Sequence, residues 1–309
     1  LQESSAVTLF EFITGMAYQC FAQSKVDFQT IEVGLGGRLD ATNVVIADVA
    51  VITNISLDHT AILGDSLAEI AAEKAGIIKS GGTVVVAPQH PEALASILEV
   101  CRERNARVVQ VGRDVTWAKY ERARDPWEDQ RVIVYGRLQK YDLEIPLIGD
   151  YQLENVATAV AALEVLIDQG NAIPVDDIQR GFAQVSWPGR MEVLSRNPLF
   201  VVDGAHNLHS VAALMDSLKG QLEASRLILV AGFSRDKSVG DMVHRLAEAR
   251  PTVFATRSRH PRSLPPSAVA TFFREEGLEA VESPDTADAV QRSLAVSYTH
   301  LTLPTNREV

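Results

Sequence analysis

Cysteine is nearly missing from this chain: Cys20 and Cys101 are the only two, far apart and with no C-x-x-C spacing. That excludes a disulfide framework and a thiolate zinc site, and it fits a reducing compartment. Both thiols are expected to be buried apolar fillers. Long apolar runs are missing too. None reaches the roughly 18 residues that span a bilayer, and no signal-peptide pattern is visible, so a soluble, cytoplasmic chain with no membrane partner is expected. Positive charge is in short supply: 29 Lys and Arg stand against 40 Asp and Glu, a net charge of −11. A general nucleic-acid binder is thereby disfavoured. If the ligands are anions, cations must be gathered locally.

What is present is apolar mass and a βα rhythm. Of 309 residues, 46% are hydrophobic, ample for a large core and better suited to two domains than one. "TIEV" (Thr30–Val33), "VAVITN" (Val49–Asn54) and "TVVVAP" (Thr83–Pro88) read as buried strands, apolar on both faces. Between the last two, Ser66 and Glu69 form a capping box at the head of a helix, and a second helix opens at Pro91. Residues 131–147 read as a hairpin, followed by helices at about 152–169 and 174–185. "SWPGRME" (Ser186–Glu192) breaks the pattern as a linker. The rhythm then restarts, with strands at "LFVV", "RLILVAGF" and "TVFAT" and helices between and after them. No internal repeat is visible. The last stretch, "SYTHLTLPTNREV", breaks the helical pattern and resembles translated adapter sequence, so it is set aside from the fold.

Two strand ends carry candidate chemistry. In "EVGLGGRLDATN", Glu32 closes the first strand, and Gly34, Gly36 and Gly37 let bare backbone turn tightly and approach a ligand. Taken alone this is also what an ordinary glycine-rich turn looks like. "VITNISLDHT" sets Asp58 and His59 just past the next strand. An acid and an imidazole from neighbouring strand tips can share a divalent cation. Lys74 follows on the capped helix, where a plain solvated lysine is the competing reading.

These stretches, with "FEFITGMAYQCFA" before them and "EKAGIIK", "WPGRMEV" and "DGAHN" after, resemble folylpolyglutamate synthase/dihydrofolate synthase, the folate branch of the Mur ligase family. The resemblance runs in order from about Phe10 to about Leu294. It implies an α/β, Mur-ligase-like fold: a P-loop-type, ATP- and magnesium-binding domain with a mainly parallel sheet over 1–187, a smaller Rossmann-like domain over 188–296, and a non-native tail over 297–309. It also implies an ATP-dependent amide ligase, in which ATP phosphorylates a carboxylate of folate or dihydropteroate and the amino group of L-glutamate attacks the acyl phosphate. The implied partners are these small molecules alone, acting on a monomer. By motif, Glu32 and His59 resemble the family's magnesium ligands, and Lys74 its carbamylated lysine. Asn155 resembles the nucleotide-contacting asparagine, and Arg190 the arginine that reaches the ATP phosphates. Asp203 and His206 resemble ribose-contacting and active-site residues. Asp236 and Lys237 resemble a loop lining the cleft between the domains. Tyr151 stands before Gln152 where the family usually has His, and Leu208 where Pro is common.

The family's phosphate-gripping loop, G-x-x-x-x-G-K-[ST], has no match in the chain; "SGGTV" (Ser80–Val84) lacks the lysine and precedes a strand. The chain is therefore expected to be truncated at both ends and inactive by itself. Two other readings stay open: a Mur-type ligase for a different amino acid, and a non-catalytic nucleotide-binding protein.

Overall fold

The computed structural model describes residues 7–120, 127–219, 227–235 and 237–298. Asp236 and most of the adapter-like tail, from residue 299, lie outside the described residues. The chain forms two compact units. Of the described residues, the first holds 7–120, 131–143 and 153–182, and the second holds 127–130, 144–152 and those from 183 on.

The first unit is built on a parallel sheet of Ala50–Ile52, Thr83–Val86 and Arg107–Gln110, in that order. Parallel neighbours need a crossover, and the helices Leu67–Ala75 and Pro91–Glu103 supply it. The capping box closes as its sequence requires: Ser66 Oγ accepts from the Glu69 amide at 3.2 Å, and the Glu69 carboxylate accepts from the Ser66 amide at 3.1 Å. Ala93, Ile97 and Cys101 recur every four residues and pack with Ile70, Ala71, Ile78, Val84 and Val86 in one core. Val84, Val85 and Val86 are all buried, as expected of a strand covered on both faces.

The expected hairpin is Gln130–Tyr135 with Lys140–Ile145. A third strand, Thr116–Lys119, extends it antiparallel to the first. Buried positions alternate along both hairpin strands. The hairpin turn is fastened to the helix Asp150–Asp168 by a carboxylate with no solvent exposure. Glu164 accepts from the amides of Arg137 at 2.7 Å and Leu138 at 2.9 Å and from the Tyr141 hydroxyl at 3.1 Å.

In the second unit a parallel sheet places Thr252–Ala255 between Ile228–Ala231 and Ala280–Glu282. Val211, Met215, Met242, Val243, Val253 and Phe273 lead its core. They come from the helices Leu208–Lys219, Val239–Ala247 and Pro266–Glu275 and from the central strand. Leu199–Val202, read as the start of the βα rhythm, pairs instead antiparallel with Glu192–Arg196. Among the described residues no helix is long and apolar enough to cross a membrane.

Two further expectations are overturned. Thr30–Val33 is not a strand, and Glu32 is exposed. A strand needs a ladder partner, and among the described residues Ala50–Ile52 pairs only with Thr83–Val86; β-branched composition alone cannot supply the missing edge. Glu32 therefore does not sit at a strand tip. Cys20 is not a core filler either: it is exposed on the helix Leu9–Ser24, which buries no residue. Cys101 is buried as expected.

Candidate functional site

The glycine-rich turn is held against the helix that carries Lys74. A Cβ on Gly37 would meet the Glu73 and Lys74 carbonyl oxygens at 2.9 and 2.8 Å, so only glycine allows this approach. Gly76, at the end of that helix, lies against the Arg38 backbone in the same way. The polar residues of the turn are spent on keeping it there. The Arg38 amide donates to the Glu73 carbonyl at 2.8 Å, and its guanidinium grips the Glu73 carboxylate at 2.9 and 3.0 Å. Asp40 accepts from the Leu35 amide and from the amide and hydroxyl of Thr42. Burial pushes the Asp40 carboxyl up, but these bonds outweigh it and hold it below the usual carboxylate range. Asn43 bridges the Arg38 and Gly76 carbonyls, and the Lys79 ammonium grips Asn43 at 2.7 Å.

This predicts that Gly76→Ala destabilises the fold by on the order of 1–3 kcal/mol, because the colliding atoms include main chain that cannot step aside. Gly181→Ala is the matched control: it lies within the helix Val175–Ala183 with nothing near its Cβ position. There the same change should stabilise by up to about 1 kcal/mol. Thermal melts of both variants decide the matter, and equal melting points would overturn it.

The turn and helix set out three of the expected site residues. Lys74 is more than half buried. Burial lowers its pKa below the ordinary lysine range, and the Asp58 carboxylate partly opposes the shift. His59 follows Asp58 with a left-handed backbone, φ 53°, at the head of the short helix Thr60–Leu63. Its amide donates to Asp58 Oδ1 at 2.9 Å, and its Nε2 lies 4.0 Å from that oxygen, half exposed. The structure thus groups Asp58, His59 and Lys74, and Asp58 is a member that a search for metal ligands alone passes over. Glu32 is exposed and makes no hydrogen bond or ion pair among the described residues. No set of three His, Cys, Asp or Glu side chains is arranged there to hold a metal. Asn155 is exposed within the first turns of Asp150–Asp168.

In the second unit Arg190, Asp203 and His206 come together with Tyr151. Asp203 accepts from the Met191 amide at 2.9 Å and the Ala205 amide at 2.8 Å. The Arg190 guanidinium lies over Gly204 where a Cβ would otherwise be, and the Gly204 amide donates to the Gly189 carbonyl at 2.8 Å. His206 Nδ1 lies 2.9 Å from the Gly204 carbonyl. A carbonyl only accepts, so that nitrogen donates its proton to it. Tyr151 packs against Gly149 and Met191. Burial first, and then Asp203, push its phenol up to about 12, with Arg190 opposing. Beside Arg190 lies a cleft of about 250 Å³ lined by Trp127, Pro146, Trp187 and Met191. Lys237 is half-buried.

The sequence profile of the Mur ligase middle domain matches residues 11–163, and that of the Mur ligase glutamate ligase domain matches 189–300. The folylpolyglutamate synthase of Lacticaseibacillus casei is 37% identical over 306 residues, covering 96% of this chain and 68% of that protein. The dihydrofolate synthase/folylpolyglutamate synthase of Bacillus subtilis is 39% identical over 241 residues, 77% of this chain and 56% of that protein. Among solved structures, Mycobacterium tuberculosis folylpolyglutamate synthase complexed with ADP and AMPPCP superposes with a TM-score of 0.89 at 31% identity, over 98% of this chain and 69% of that one. E. coli FolC in complex with DHPP and ADP does so with a TM-score of 0.82 at 30% identity, over 93% and 65%. The chain spans about two thirds of the length of the L. casei relative and little more than half of the B. subtilis one. It belongs to the folylpolyglutamate synthase/dihydrofolate synthase family of Mur ligases.

Proposed function

We propose that this chain carries the ligase machinery that joins L-glutamate to a folate, to dihydropteroate, or to both, at the cost of ATP, and that it works as a monomer. The observation that carries the reading is the 37% identity to a folylpolyglutamate synthase across nearly the whole chain.

The reaction's physical difficulty is charge, because a carboxylate must approach a polyanionic triphosphate. Bound magnesium would neutralise that charge and polarise the phosphoryl oxygens. Magnesium prefers oxygen ligands, takes only one or two of them from protein and fills its shell with water and phosphate oxygens, so the Glu32 carboxylate is a donor of the right kind and His59 would add a nitrogen beside it. Lys74 has a separate task. Its partial burial favours the neutral amine, the form that adds carbon dioxide to give an anionic carbamate. Arg190 offers a planar fork to phosphate oxygens. The exposed Asn155 amide and the anchored Asp203 carboxylate suit the base and sugar of a nucleotide. His206 can take a proton as the glutamate amine attacks.

The test is phosphate release from ATP by this chain joined to a phosphate-gripping loop at its N-terminal side, since the chain itself has no match to that loop. It should depend on L-glutamate together with dihydropteroate or tetrahydrofolate. Release driven instead by a UDP-muramoyl substrate, or ATP binding with no turnover at all, would overturn the reading. Glu32→Gln and His59→Ala should each raise the magnesium concentration for half-maximal turnover by about tenfold or more. An unchanged magnesium requirement in both would remove them as ligands.

A further inference from the structure

In a chain of net charge −11, one stretch holds no acid at all. Between Ala249 and Arg274 there are five arginines and no Asp or Glu. Three of those arginines, Arg257, Arg259 and Arg262, fall in the exposed segment that follows the strand Thr252–Ala255. Arg235 is exposed in the segment that follows the adjacent parallel strand Ile228–Ala231. The two segments are tied together. The Arg235 amide donates to the Arg262 carbonyl at 3.0 Å, the Leu264 amide to the Phe233 carbonyl at 2.9 Å, and Ser234 bridges to Ser263. His260 stiffens the bend: its Nδ1 accepts the Arg262 amide at 3.2 Å. The side chains of Arg235, Arg257 and Arg259 make no hydrogen bond or ion pair among the described residues. Of the other two arginines, Arg250 precedes the strand and Arg274 pairs with Glu282. Asp285, in the segment after the third strand, is engaged in capping, accepting the Asp288 amide at 3.0 Å.

We propose that this arginine rim binds an oligo-γ-glutamyl chain. The proposal rests on the ligase reading, whose product is such a chain. Each γ-linked glutamate leaves one free α-carboxylate, so the tail is a ladder of anions. An otherwise acidic protein repels it everywhere except where cations are gathered. Guanidinium forks match carboxylates two bonds at a time. The rim lies beyond the carboxyl ends of parallel strands, where ligands of such sheets bind. Arg257 and Arg259 are two residues apart, at most about 7 Å along the backbone, so they can take separate carboxylates of one tail.

The experiment uses the 309-residue chain and fluorescently labelled tetra-γ-glutamate, followed by anisotropy at low and raised salt. Binding is expected, weaker in salt, and about tenfold weaker in the double variant Arg257→Ser/Arg259→Ser. Those side chains are exposed, so the double variant should melt with the parent. Arg190→Ala should leave the probe's affinity unchanged. No binding by the parent, equal binding by the double variant, or displacement by tripolyphosphate at equal or lower concentration than by unlabelled tetra-γ-glutamate would overturn the site. The ligase reading is judged separately, by glutamate-dependent phosphate release from the protein that carries the phosphate-gripping loop. Turnover with a silent double variant sinks the rim alone. Probe binding lost in the double variant without any turnover sinks the ligase reading and leaves a polycarboxylate site.

Discussion

Arg190→Ala is expected to slow ATP-dependent ligation by about a hundredfold to a thousandfold, the cost of removing one preorganised donor to developing charge. The guanidinium is well placed for this because nothing stands between it and the Gly204 backbone. Arg190→Lys should recover only part of the rate, since an ammonium cannot make the paired contact. A sharper variant leaves the arginine in place. In Gly204→Ala the new methyl would occupy the space of Arg190 Nη1, the far end of a flexible side chain. The arginine should swing aside and the fold should hold. Gly204→Ala should therefore reproduce much of the loss of kcat/KM for ATP with little change in melting temperature. A Gly204→Ala enzyme of normal rate would show that the observed placement of Arg190 is irrelevant to the chemistry.

Glu164→Ala is expected to cost about 3 kcal/mol or more of stability, read as a fall in the urea midpoint with little change in slope. The carboxylate has no solvent exposure and satisfies two amides and a hydroxyl. Its removal strands all three donors in a space water does not fill. Glu164→Gln should recover little. A carboxamide has one oxygen for three donors and turns its own N–H groups toward one of the two amides, which sit on different carboxylate oxygens. Gly136 reinforces the point, since a Cβ there would run into the Glu164 carboxylate. Midpoints for Ala and Gln variants within about 0.5 kcal/mol of the parent, the range of ordinary surface substitutions, would show that the hairpin turn is held by other contacts.

Much of this molecule could be read from local pattern. Valine runs marked the buried strand Thr83–Val86, and the Ser66–Glu69 spacing and Pro91 marked two helix starts. Each depends on atoms within a few residues, so each is legible without the fold. Thr30–Val33 carried the same kind of signal and is no strand, because a ladder partner is a non-local fact. Cys20 was misplaced for a related reason: residue type gives an average tendency to burial, and the helix Leu9–Ser24 buries none of its own residues.

At the site the division is similar. By itself the sequence determined the alternation of strands and helices, the acidic balance, and which residue types stand ready for chemistry at 32, 59, 74, 190, 203 and 206. It did not reveal that Arg38, Asp40 and Asn43 are absorbed in fastening the turn. Nor did it reveal that Asp58 faces Lys74, that Tyr151 answers to Asp203, or that Arg235 is stitched beside Arg262. Those pairings were decided by the tertiary structure alone. Charge acts through space and desolvation depends on everything packed nearby, so residues 16 to 52 positions apart in sequence can set each other's chemistry once the chain has folded.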